Sequence, residues 1–124
     1  MGAILLRGVR GAITVERNDA GEIFSATREL LKAMIKENDI DPEDIASVIF
    51  TVTPDLNAGF PATAAREMGW RYVPLLGATE INVPGMPGKC IRALVHVNTG
   101  KSQRELKHIY LRDAARLRVD LVPQ

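Results

Sequence analysis

The run Lys89-Cys90-Ile91-Arg92-Ala93-Leu94-Val95-His96-Val97 alternates like a strand with one buried face, and an arginine interrupts it. A guanidinium at such a position must turn either to water or to an anion. Three other segments supply matching groups: Arg10 in a first strand-like run, Glu80 after Tyr72-Val73-Pro74, and Tyr110 near the C-terminus. Two cations, a carboxylate and a phenol suit a small, polar, multiply charged anion. Other chemistries lack their usual supports. His96 and His108 are the two histidines and have no metal-ligand partner at recognisable spacing. Gly85-Met86-Pro87-Gly88-Lys89 lacks the glycine spacing of a phosphate loop, and Cys90 follows it where Ser or Thr belongs. What remains is electrostatics and positioning.

The elements that must hold these groups follow from periodicity. Ala3 to Val15 is β-like, with Gly8 and Gly11 pointing to close approach of another backbone or a ligand. Asp19 with Glu22 matches a capping box, and Ile23, Leu30, Leu31, Met34 and Ile35 recur at helical spacing up to Asn38. Asp41-Pro42 starts a helical turn, and Ile45 to Val52 is a β-branched run expected as a buried central strand. Pro61 opens a short helix through Glu67, stopped by Gly69, and Trp70 to Leu76 reads as a strand. Pro84 to Gly88 then suggests a tight return into an antiparallel pair with the Cys90 to Val97 strand. Ser102 with Glu105 is a second capping-box match, while the segment after Tyr110 fits a short helix or an irregular tail equally well. The order predicts one α+β domain over residues 1–124, a mixed β-sheet with one long and one short helix on one face. The other face then needs a cover, and a symmetric oligomer with ligand clefts between subunits is the simplest one.

Composition narrows the class. The chain has 124 residues, 46% of them hydrophobic, with 16 basic against 15 acidic side chains interleaved along it, so neither a nucleic-acid nor a membrane footprint is expected. Arginine outnumbers lysine eleven to five, which is compatible with anion recognition. The lone Cys90 cannot form an internal disulfide and fits a reducing, cytoplasmic setting; no run is long enough for a signal or a membrane span.

Arg7-Gly8-Val9-Arg10-Gly11-Ala12-Ile13-Thr14-Val15-Glu16, Thr53-Pro54-Asp55-Leu56, Phe60-Pro61-Ala62, Arg66-Glu67, Tyr72-Val73-Pro74, Cys90-Ile91-Arg92 and Tyr110-Leu111 resemble, in order and spacing, the monofunctional, trimeric AroH-class chorismate mutases. The resemblance implies a homotrimer with a pseudo-α/β barrel core and clefts between subunits. It implies conversion of chorismate to prephenate by an intramolecular Claisen rearrangement, in aromatic amino-acid (Phe/Tyr) biosynthesis and without a cofactor or metal. Carried onto this chain, Arg92 would sit beside the ether oxygen and a carboxylate, and Arg10 would hold the other carboxylate. Glu80 would accept from the ring hydroxyl, and Tyr110 would close on the enolpyruvyl carboxylate. Phe60, Ala62, Thr63, Leu76, Gly77 and Leu117 would line the cleft, with Arg66 at its mouth. Two positions depart: family members can carry lysine where Thr63 stands and cysteine where Gly77 stands. Arg116 and Arg118 flank Leu117 near this site, and ordering of the tail on ligand binding is expected from them. Two rivals remain at the level of sequence, an imine or enamine deaminase of the same architecture and a trimeric anion-binding module without catalysis.

Overall fold

The computed structural model describes residues 3–117; the expected ordering of the tail beyond Leu117 falls outside them. Five strands form one mixed sheet in the order β3-β2-β4-β1-β5. They are β1 (Leu5–Thr14), β2 (Ile45–Val52), β3 (Leu75–Thr79), β4 (Cys90–Thr99) and β5 (Ile109–Leu111). The central β4 is antiparallel to both neighbours, whereas β3 and β5 add in parallel at the two edges.

The long helix α1 (Ala20–Asn38) begins where the sequence predicts, with Asp19 Oδ2 accepting from the Glu22 N–H at 3.0 Å. The box is open on its other side. Glu22 Oε1 accepts from the N–H groups of Glu16 and Arg17, at 3.3 Å each, and not from that of Asp19. The Glu22 carboxyl is held below its ordinary range chiefly by the Arg17 side chain. Helix α2 (Pro61–Glu67) starts on proline, whose missing N–H costs nothing in a first turn. Ile23, Leu30, Leu31 and Met34 of α1 and Ala65 of α2 pack with Val9, Ile13, Val48, Phe50, Ile91 and Val95 in one core. Both helices therefore cover the same sheet face, as expected. Gly11 permits the close contact: a Cβ there would collide with the Met34 side chain and stand 3.0 Å from Leu30 Cδ1.

Two expectations are corrected. The strand expected over Trp70 to Leu76 is β3, Leu75–Thr79. Pro74 has no N–H to give a ladder, but its carbonyl accepts from the Val48 N–H at 3.0 Å, and pairing with β2 begins there. Trp70 lies before it, in the core at 5% exposure. The expected antiparallel pairing of this strand with β4 is also absent, because β2 lies between them. The segment after β3 is a crossover and not a hairpin. Asp55 anchors its far end, both carboxylate oxygens accepting from the Lys89 N–H at 3.0 and 2.9 Å. Thr53 fixes the β4 start, its N–H donating to the Cys90 carbonyl and its Oγ1 accepting from the Cys90 N–H, both at 3.0 Å.

The other end of the sheet is fixed by Asn38. Its Nδ2 donates to the carbonyls of Met34 and Lys107, at 2.9 Å each, and its Oδ1 accepts from the Lys107 N–H at 2.7 Å. This buried amide sets the path of 101–107 into β5. We expect Asn38→Ala to destabilise the protein by about 1–3 kcal/mol, since it removes both side-chain bonds to the part-buried Lys107 backbone, read as a lower urea midpoint at fixed protomer concentration. An unchanged midpoint would show that water replaces the amide. After β5, Arg112 holds a left-handed φ of 56° while its guanidinium donates to the Thr14 carbonyl at 3.0 Å and to Glu29 Oε1 at 2.9 Å. The strain there is offset by those two bonds.

Among the described residues neither α1 nor α2 lies on the second sheet face, where only a short turn of helix at Arg112–Arg116 packs, Ala114 meeting Ala12 and Cys90 at one edge. No helix among the described residues is long and apolar enough to cross a membrane.

Candidate active site on the open sheet face

Alternation along β4 buries Ile91, Ala93, Val95 and Val97 under the helices and turns Arg92, Leu94 and His96 to the open face. Pairing then sets who stands beside Arg92. Across the sheet, Thr51 of β2 pairs with Arg92, Arg92 with Ala12 of β1, and Ala12 with Tyr110 of β5. One step along, Ile49 pairs with Leu94 and Leu94 with Arg10. Glu80 follows the end of β3, where its N–H donates to the Val52 carbonyl at 2.8 Å and so extends the parallel ladder by one bond. Arg10, Ala12, Ile49, Thr51, Glu80, Arg92, Leu94 and Tyr110 thereby surround one cleft of about 230 Å³.

Its polar groups are incompletely satisfied, which is the informative point. Arg92 Nε and the Tyr110 hydroxyl are buried without a hydrogen-bond partner among the described residues. Glu80 Oε1 is 3.7 Å from Arg92 Nε, close enough for attraction but too far for a hydrogen bond. Orphaned buried donors cost stability, so two of them aimed into one cleft point to a ligand that supplies acceptors. Small size on one wall makes the room. Ala12 and Cys90 pack with Ala114 in a small cluster against which Tyr110 and Leu117 lie.

All four residues expected to act on a substrate thus converge. The expected lining residues do not join them within one chain. Leu76 lies on the open face next to Ile49, at 63% exposure. Gly77 points the other way, into a separate groove beside Phe60 and Thr63. Phe60 is 76% exposed, Arg66 is exposed in the last turn of α2, and Ala62 packs against the main core. Leu117 borders a third hollow with Arg116, Asp113 and Lys89. Thr51 was not legible as a site residue: in Ile45 to Val52 it is one β-branched residue among several, and it is its pairing with Arg92 that brings it to the cleft.

Residues 6–121 match the family model described as chorismate mutase type I. The chain belongs to that family, and its activity is that of a chorismate mutase. It is 52% identical over 118 residues to the chorismate mutase AroH of Thermus thermophilus, covering 94% of this chain and 97% of that one. It is 44% identical over 119 residues to the AroH of Bacillus subtilis, covering 95% and 94%. A solved chorismate mutase from Clostridium thermocellum superposes with a TM-score of 0.87 at 50% identity, over 89% of this chain and 98% of that one.

Cys90 shares the Arg92 face of β4 but is only 1% exposed. Burial pushes its thiol up from the ordinary value, more than nearby Arg92 pulls it down. A buried thiol with little thiolate is a poor nucleophile. Iodoacetamide at pH 8 should therefore alkylate Cys90 slowly in the native chorismate mutase and readily in urea; equal rates would place the thiol at the surface.

Proposed function

We propose that the rearrangement of chorismate to prephenate takes place in the Arg92 cleft, with the cleft completed by a second copy of the chain in a homotrimer. The single observation that carries the reading is the pair of orphaned donors, Arg92 Nε and Tyr110 OH, facing the same space as Arg10 and Glu80. An intramolecular Claisen rearrangement breaks a C–O bond and forms a C–C bond within one molecule. It asks no side chain for a proton or an electron pair. It requires the substrate folded into one reactive chair and negative charge stabilised on the ether oxygen as that bond lengthens. Arg92 donates to that oxygen and to a carboxylate, Arg10 takes the other carboxylate, Glu80 accepts from the ring hydroxyl, and Tyr110 donates to the enolpyruvyl carboxylate.

The open face supports the trimer. Exposed Leu76, Ile4 and Leu6 and half-buried Ile49 and Leu94 share the face that carries the charged groups, the kind of apolar patch that marks an interaction site. Phe60, Thr63 and Gly77 line a different groove, with Arg66 exposed at the end of the same helix α2, so a substrate touching both sets of residues would lie between copies. Leu117 lines its end. The whole chain, residues 1–124, acts as one chorismate mutase domain in the cytoplasm, and its product feeds phenylalanine and tyrosine synthesis.

Purified protein mixed with chorismate should consume it with prephenate appearing in equal amount, at a molecular mass of three chains. Consumption by a stable monomer would sink the shared cleft while leaving the activity.

A further inference from the structure

Thr51 makes the one side-chain hydrogen bond that Glu80 receives among the described residues: its Oγ1 donates to Glu80 Oε1 at 2.7 Å. That same oxygen is the one 3.7 Å from Arg92 Nε. Thr51 is also the direct cross-strand partner of Arg92. One hydroxyl therefore holds the carboxylate oxygen that lies nearest the guanidinium. We infer that Thr51 is a positioning residue for the reaction, holding the Glu80 carboxylate out of hydrogen-bond range of Arg92 so that Arg92 Nε stays available to the substrate.

The inference rests on the roles given above to Glu80 and Arg92, and the geometry deepens them. A glutamate side chain has three rotatable bonds, and Glu80 is 28% exposed, so nothing in its covalent structure keeps it off a neighbouring arginine. Free to relax, opposite charges this close would shorten into a charge-assisted hydrogen bond of about 2.8 Å. Arg92 would then spend its Nε–H on Glu80. The threonine prevents this because its hydroxyl already holds Oε1, and because a β-branched side chain in a strand is stiff at χ1. Binding Oε1 also leaves Oε2 as the acceptor for the ring hydroxyl. Thr51 touches neither reacting bond and acts through Glu80.

The test is a double-mutant cycle on chorismate turnover by the intact protein, with Thr51→Val, Thr51→Ser, Glu80→Ala and Thr51→Val/Glu80→Ala. Valine keeps the shape of threonine, and unchanged circular dichroism confirms the fold of each variant. Thr51→Val should lower kcat/KM by ~10-fold or more, the usual value of a hydrogen bond to a charged group, and Thr51→Ser should recover most of it. In the Glu80→Ala background, the valine should cost nothing further. An equal cost in both backgrounds, or none in either, would make Thr51 structural and overturn the inference. If Glu80→Ala is itself harmless, the role of Glu80 fails first and takes this inference with it, a result distinct from the other two.

Discussion

Arg92→Ala should lower kcat/KM for chorismate by more than ~10³-fold while the protein stays folded. Removing one preorganised donor to a developing oxyanion typically costs ~10²–10³ in rate, and in the proposed site the same substitution would also remove a contact to a carboxylate. The fold should survive, because Arg92 packs no core: its side chain is 31% exposed, and its one ion pair among the described residues is with Glu80. Arg92→Lys should fall nearly as far. A guanidinium presents Nε–H and its terminal N–H groups in a fixed fork, so it can serve an ether oxygen and a carboxylate together, whereas an ammonium is a point charge on a flexible stem. Stopped-time chorismate consumption with folded, purified variants decides the matter. Near-normal turnover by the alanine variant would refute the placement of the chemistry, and near-normal turnover by the lysine variant would refute the double role.

The parts of the fold that sequence made legible are those governed by local chemistry. Asp19 followed by Ile23, Leu30, Leu31 and Met34 fixes α1 almost to the residue, because a cap and a 3.6-residue stripe are short-range signals. Pro61 and Gly69 bracket α2 for the same reason, Gly69 taking a φ of 91°. Strand pairing is not local. The displaced β3 and its parallel partner depend on Val48 finding the Pro74 carbonyl and on Trp70 being taken into the core, neither of which any stretch of sequence specifies. β5 is three residues long and is set from outside by Asn38 and Arg112. The site divides the same way. Arg92 was legible because a charge in an apolar alternation has few destinations, and Arg10, Glu80 and Tyr110 because their order resembles a family pattern. Thr51 was not, since its part depends on which residue lies across the strand gap from Arg92. Phe60, Thr63 and Gly77 could be named from the pattern, but their lining a groove separate from Arg92 within one chain is a property of the fold and not of any motif.

That separation yields the other large effect. In the proposed closed ring each cleft would take the Arg92 face from one copy and Phe60 and Arg66 from the next, a heterologous contact repeated around the axis. Arg92→Ala spoils one half of every cleft. A chain carrying Phe60→Ala with Arg66→Ala spoils the other half and should lose at least ~10-fold, through the apolar wall and the cation it removes. Unfolded together and refolded at equal concentration, the two variants should assort at random, and about a quarter of the clefts should then receive both intact halves. Activity should rise from near zero in the Arg92→Ala protein alone to about a quarter of wild type in the mixture, well above the average of the two variants refolded separately. Such a gain cannot arise if each chain carries its own complete site, because no chain in the mixture has one. A mixture no better than that average would place the whole site within a single copy, and the open face of the sheet would then need a different cover.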